Sequence, residues 1–280
     1  MVIAHASPVG WTFEPLPLAA IAVVGAAYAR RALTLGRRGT PVPAWKLVLF
    51  ALSLGTVVLA LVSPVDRIGE ERLFSVHMLQ HLLIGDVAPL LAVLGLSGPL
   101  LRPVLALPFV FRLRVLAQPF VALPLWAANL YAWHLPRLYD AALENAAVHA
   151  LQHLLFFSCG LLLWATLLEV VPGPRWYGTG AKLVSLGFVW VAGGVLANVF
   201  LWSGRAFYPP YREAPRLWSL SPVADQRMGG GVMLLEMSAV VLAVALVLGL
   251  RWLGEGERRQ RLLEQGWDPA RTERAVRYRS

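Results

Sequence analysis

The chain has 280 residues, of which 58% are hydrophobic and 15% charged, and its formal net charge is +9. A soluble domain carries about 25% charged residues, so an ordinary soluble globule is excluded and a bilayer is the indicated solvent. The positive charge does not point to nucleic acid, because it lies in short connections and a tail flanking apolar runs, where it sets membrane topology.

Residues 1–15 contain no Lys or Arg, unlike the start of a cleavable signal peptide, and His5 belongs to this stretch, read as a flexible terminus. Apolar runs then predict seven spans, at 16–35, 46–63, 73–95, 117–135, 147–169, 182–203 and 229–251. Each approaches the roughly 20 residues needed to cross the hydrocarbon core. The first has a short clean stretch, and the fourth carries Pro119, Pro124 and Asn129. Between the third and fourth, the segment 96–116 holds Pro99, Pro103, Pro108, Arg102, Arg112 and Arg114. It reads as a connection lying on the membrane surface or as a re-entrant piece. The expected fold is all-α, a polytopic membrane helix bundle over 1–253 with a polar, basic tail at 254–280.

Alternate connections differ in Lys and Arg: one set, which includes the tail from Arg251, carries 18 of the 25, and the other 7. The richer set is expected in the cytoplasm, which places the N-terminus outside and the C-terminus inside. On that topology all six histidines fall at or near the outer face. His77 and His81 open the third span, His134 ends the fourth, and His149 and His153 open the fifth.

The histidine spacing carries chemistry. His77–His81 and His149–His153 are both i, i+4 pairs, which stack on one helix face about 6 Å apart. This is how two imidazoles on one helix grip one metal ion. The stretch His77-Met78-Leu79-Gln80-His81-Leu82-Leu83 also matches His149-Ala150-Leu151-Gln152-His153-Leu154-Leu155 at six of seven positions, as expected of a duplicated ligand-bearing helix start. A lone membrane histidine commonly bonds between helices; two such pairs argue for a metal site of His77, His81, His149 and His153. His134 reads equally as a ligand or an interfacial anchor.

Met78, Met228, Met233 and Met237 add thioethers near the same end, with Met78 and Met233 as further ligand candidates. Imidazole with thioether favours copper. Asp225 is a further candidate, and with Gln226 an outer partner that would orient an imidazole. Asp86 and Glu236 lie deeper, where a charge is costly and faces the bundle interior; each reads equally as a proton or ion relay or as a hydrogen-bonded carboxyl joining helices. Gly193-Gly194 and Gly229-Gly230-Gly231 read as sites of close helix approach. The single cysteine, Cys159, excludes an intrachain disulfide and a Cys-rich metal site. No phosphate-binding glycine loop, GxSxG elbow or CxxC is present.

Four groups of residues carry a family resemblance. They are His77-Met78-x-Gln80-His81 followed by Ala88-Pro89-Leu90-Leu91; Trp133-His134-Leu135-Pro136 with Tyr139-Asp140-Ala141-Ala142-Leu143; His149-x-x-x-His153 with Phe156-Phe157 and Trp164; and Asp225-Gln226-x-x-Gly229-Gly230-x-x-Met233. With these the chain resembles the CtaG-type cytochrome c oxidase assembly factors, seven-helix membrane proteins of bacteria. The resemblance implies a non-enzymatic role in maturing a haem-copper oxidase by handling copper at the inner membrane. Oxidase subunits and a periplasmic copper donor would be the partners. A copper permease and a haem-bearing electron-transfer protein are the alternatives.

Overall fold

The structure, a computed structural model, describes residues 10–13, 15–170, 173–174 and 176–277. His5 and Arg175 lie outside the described residues. In chain order the helices are α1 (Pro15–Arg37), α2 (Ala44–Val62), α3 (Pro64–Glu71), α4 (Phe74–Leu82), α5 (Ala88–Gly95), α6 (Gly98–Leu105), α7 (Pro108–Leu113), α8 (Pro119–Trp133), α9 (Pro136–Glu144), α10 (Ala146–Leu167), α11 (Thr179–Trp202), α12 (Pro209–Glu213), α13 (Pro222–Glu264) and α14 (Pro269–Arg277). A five-residue π turn, Leu83–Val87, joins α4 to α5 into one continuous rod. Among the described residues there is no strand.

Among the described residues six helices are long and apolar enough to cross a membrane: α1, α2, the rod Phe74–Gly95, α10, α11 and α13. The fourth expected span is instead a 15-residue helix, ~22 Å long at 1.5 Å per residue. Pro119 fixes its first turn and Pro136, just past His134, prevents its continuation. The segment 96–116 forms the two short helices α6 and α7, each opened by a proline in its first turn, with Val104, Leu107 and Phe109 exposed. The last long helix, α13, starts seven residues before the apolar run, where Ser221 caps it and Pro222 follows, and it runs for 43 residues. At ~64 Å it is about twice the thickness of a hydrocarbon core.

Apolar side chains face outward along these helices: Leu16 is 82% exposed, Val184 76% and Leu235 74%. That inversion is what a lipid solvent permits, and it makes the molecule a membrane protein. Close approach of backbones then carries much of the helix packing. A Cβ on Gly160 would stand 1.9 Å from the Gly85 carbonyl oxygen, so α10 meets the π turn backbone to backbone. Gly230 similarly faces the Ala197 carbonyl of α11, whereas a Cβ on Gly194 or Gly231 would meet nothing within 4 Å.

One end of the bundle gathers the C-termini of α2, α8 and α11 and the N-termini of α4, α10 and α13. An aromatic cluster of Phe74, Tyr139, Phe200, Tyr208 and Tyr211 fills it. Asp225 of α13 locks α4 there from across the bundle: its carboxylate accepts from the Phe74 amide at 2.7 Å, the Ser75 amide at 3.1 Å and the Ser75 hydroxyl at 2.5 Å. Leu73 caps α4 with no side-chain hydrogen bond of its own, and an anion at a helix N-terminus also complements the helix dipole.

Candidate metal centre

The five membrane histidines converge at this end, all buried. On α4 the His77 and His81 rings lie 4.2 Å apart, with their Nε2 atoms at 2.8 Å. On α10 the His149 and His153 rings lie 4.1 Å apart. The pairs face each other as two rungs, His77–His149 at 5.5 Å and His81–His153 at 5.6 Å between ring centroids. His134, capping the C-terminus of α8, completes the group 6.2 Å from His81. Nitrogens of His77, His81 and His149 all fall within 4.8 Å of one another. Ligands at ~2.0 Å from a tetrahedral ion stand about 3.3 Å apart, within reach of small ring rotations.

Proton positions follow from the partners. The Leu130 carbonyl can only accept, so His134 donates to it from Nδ1, at 2.7 Å. His149 Nδ1 donates to the Glu70 carboxylate at 2.6 Å. The Tyr211 hydroxyl donates to the Gly69 carbonyl at 2.8 Å, so His77 Nδ1, 3.0 Å from that same hydroxyl, must donate to it. In three rings, then, Nδ1 carries the proton and Nε2 presents a lone pair, the arrangement by which an outer hydrogen bond fixes the tautomer of a metal-binding imidazole. His77 Nε2 takes the bond to His81. The Nε2 atoms of His134, His149 and His153 and Nδ1 of His81 have no partner among the described residues. Buried polar atoms are rarely left so.

The scaffold around the rings is short-range and polar. Gly69 has no room for a Cβ beyond 3.0 Å from the His77 backbone, so α3 presses directly on α4. Gln80 donates to the Ala60 carbonyl at 3.0 Å and to Asp66 at 2.6 Å. Burial, and the nearby Glu70 carboxylate, push Asp66 up to about 6. Its protonated form therefore favours the fold, and its contribution to stability declines as pH rises from the ordinary carboxylate range through 6. The duplicated motif diverges at its glutamines: both are fully buried, yet neither amide atom of Gln152 has a partner.

The further candidates fall elsewhere. Asp225 does not join the rings, because both its oxygens hold the start of α4, and Gln226 bonds Phe207 and Arg205. Each steadies the helices that carry rings rather than a ring itself. Met78 and Met233 are buried in the aromatic cluster and line a cavity beyond His81, on the side away from His149. Met228 is 49% exposed. Glu70 and Tyr211 escaped the sequence reading. Glu70 could have been found as an acid just ahead of the first histidine pair; Tyr211, 134 residues from His77, gives no local signal.

The model of the family described as cytochrome c oxidase caa3 assembly factor matches residues 26–255. Uncharacterized proteins of Mycobacterium bovis and Mycobacterium tuberculosis are each 28% identical over 272 residues, and one of Mycobacterium leprae 24% over 267 residues, covering 89% of this chain. The chain spans about 40% of the length of these relatives. No solved structure matches it significantly.

Proposed function

From the premise that this chain belongs to the cytochrome c oxidase caa3 assembly factor family, we propose that it binds copper and passes it on to a maturing haem-copper oxidase. His77, His81 and His149 would hold the ion, flanked by His134 and His153. The observation that carries this reading is the set of buried imidazole nitrogens whose opposite nitrogens are anchored while they themselves meet no partner. An imidazole set suits copper among the transition metals, and the chain acts as a holder of cargo rather than a catalyst.

In the proposed topology α8, extended by the turn Arg114–Ala117, makes a seventh crossing. The Lys and Arg asymmetry puts the histidine end on the outer face of the bacterial inner membrane, open to a periplasmic copper donor and to oxidase subunits. The packed rings favour one ion over a haem: Phe156 lies 4.7 Å from His81 and His77 4.2 Å, which leaves no slot for a macrocycle.

Metal analysis of the purified protein tests the reading. Copper is expected in the wild type and absent from the variant combining His77→Ala, His81→Ala, His149→Ala and His153→Ala, with the protein still in the membrane. Equal copper in both overturns it.

A further inference from the structure

Beyond His81 the bundle holds a cavity of about 50 Å³, room for one ion or a water or two. His81, His134, Asp86 and Glu236 all line it. Neither Glu236 oxygen has a hydrogen-bond partner among the described residues. Asp86 accepts a bond, 2.6 Å long, from the Trp164 indole. Met78, Met233 and Met237 also line the cavity.

Asp86 reaches this cavity because of the π turn. Five residues after His81 in an α-helix, a side chain stands about 140° round the axis; the wider turn Leu83–Val87 reduces that offset. π turns of this kind recur at functional sites.

We propose that this cavity is a second, deeper cation site that takes a soft monovalent ion of the Cu(I) class between the Asp86–Glu236 pair and the thioethers. The proposal rests on the copper reading above. A lone acid pair would not carry it; His81 and His134, each with a buried ring nitrogen that has no partner among the described residues, line the same space and supply a path from the histidine cluster. Softness selects the ion: thioether sulfur prefers Cu(I) over harder cations, and a carboxylate on the same wall offsets its charge.

Cu(I) titration of the purified full chain against a chelator tests it, with Ag(I) as a redox-silent probe. The wild type takes a second equivalent. Glu236→Gln and Asp86→Asn each lose only that equivalent, and the His77→Ala, His149→Ala double variant loses the other. X-ray absorption of the double variant shows a sulfur shell that disappears with Met233→Leu, Met237→Leu. A wild type that binds one equivalent, lost with the histidines and untouched by Glu236→Gln, overturns the second site and leaves the copper reading standing. Absence of any bound Cu(I) overturns both. The near-isosteric Glu236→Gln, checked by helix content and elution volume, separates lost binding from lost folding.

Discussion

At the end of the bundle away from the histidines, Lys46 and Lys182 both meet acceptors, although Arg31 Nε is buried without a partner among the described residues. Lys46 donates to the Leu94 and Leu96 carbonyls at 2.9 and 2.5 Å, and Lys182 to Glu169 at 2.7 Å, while Tyr177 bonds Ser185 at 3.0 Å. At the histidine end, among the described residues, three imidazoles are held on one nitrogen and left bare on the other, beside a glutamine, Gln152, with neither amide atom paired. The lysines of the first end are met as in a stable interior; the second end leaves lone pairs unmet, the mark of a candidate site rather than a core.

Variants can break or sharpen this contrast. The largest effect belongs to His77→Ala or His81→Ala, which removes one of the three proposed ligands and is expected to lower copper affinity at least about 100-fold, read by chelator competition, with helix content unchanged. Next is Asp225→Ala. It strips three hydrogen bonds from the start of α4 and lowers unfolding free energy by about 3 kcal/mol, read from denaturant melts in detergent; unchanged stability would remove Asp225 from its role as a cap. Lys182→Met removes the 2.7 Å ion pair with Glu169 and destabilises by about 2 kcal/mol, with copper affinity intact. Glu70→Gln weakens the hold on His149 and lowers copper affinity about 10-fold or more, while the melt barely moves. The smallest effect has the opposite sign: His153→Leu removes a buried unpaired nitrogen and stabilises the metal-free protein by about 0.5–1 kcal/mol. If His153→Leu destabilised as Lys182→Met does, the two ends would not differ in kind.

Much of the architecture was legible because lipid makes hydrophobicity a direct readout of position. The expected spans 46–63, 73–95 and 147–169 correspond to Ala44–Val62, Phe74–Gly95 and Ala146–Leu167. The last helix was harder. Its first turns carry Asp225, Gln226 and Arg227, polar residues that look like loop until tertiary bonds account for them. The two histidine pairs were visible because i, i+4 spacing is local. That they face each other as rungs was implied only by the duplicated motif, and the anchors were not visible at all. Glu70 reaches His149 from a different helix, and the 8-residue helix that carries it falls below the length of a span. Tyr211 sits on the 5-residue helix between α11 and α13, where no periodicity marks it as a partner of His77.

The wide turn between α4 and α5 has a consequence for how this stretch can change over time. Side chains there can be exchanged one at a time, but a codon gained between Leu83 and Val87 would swing everything downstream by about 100°, while one lost would tighten the turn to α geometry and undo the width that brings Asp86 to the cavity. Spacing, more than identity, is what descent has to preserve between His81 and Pro89.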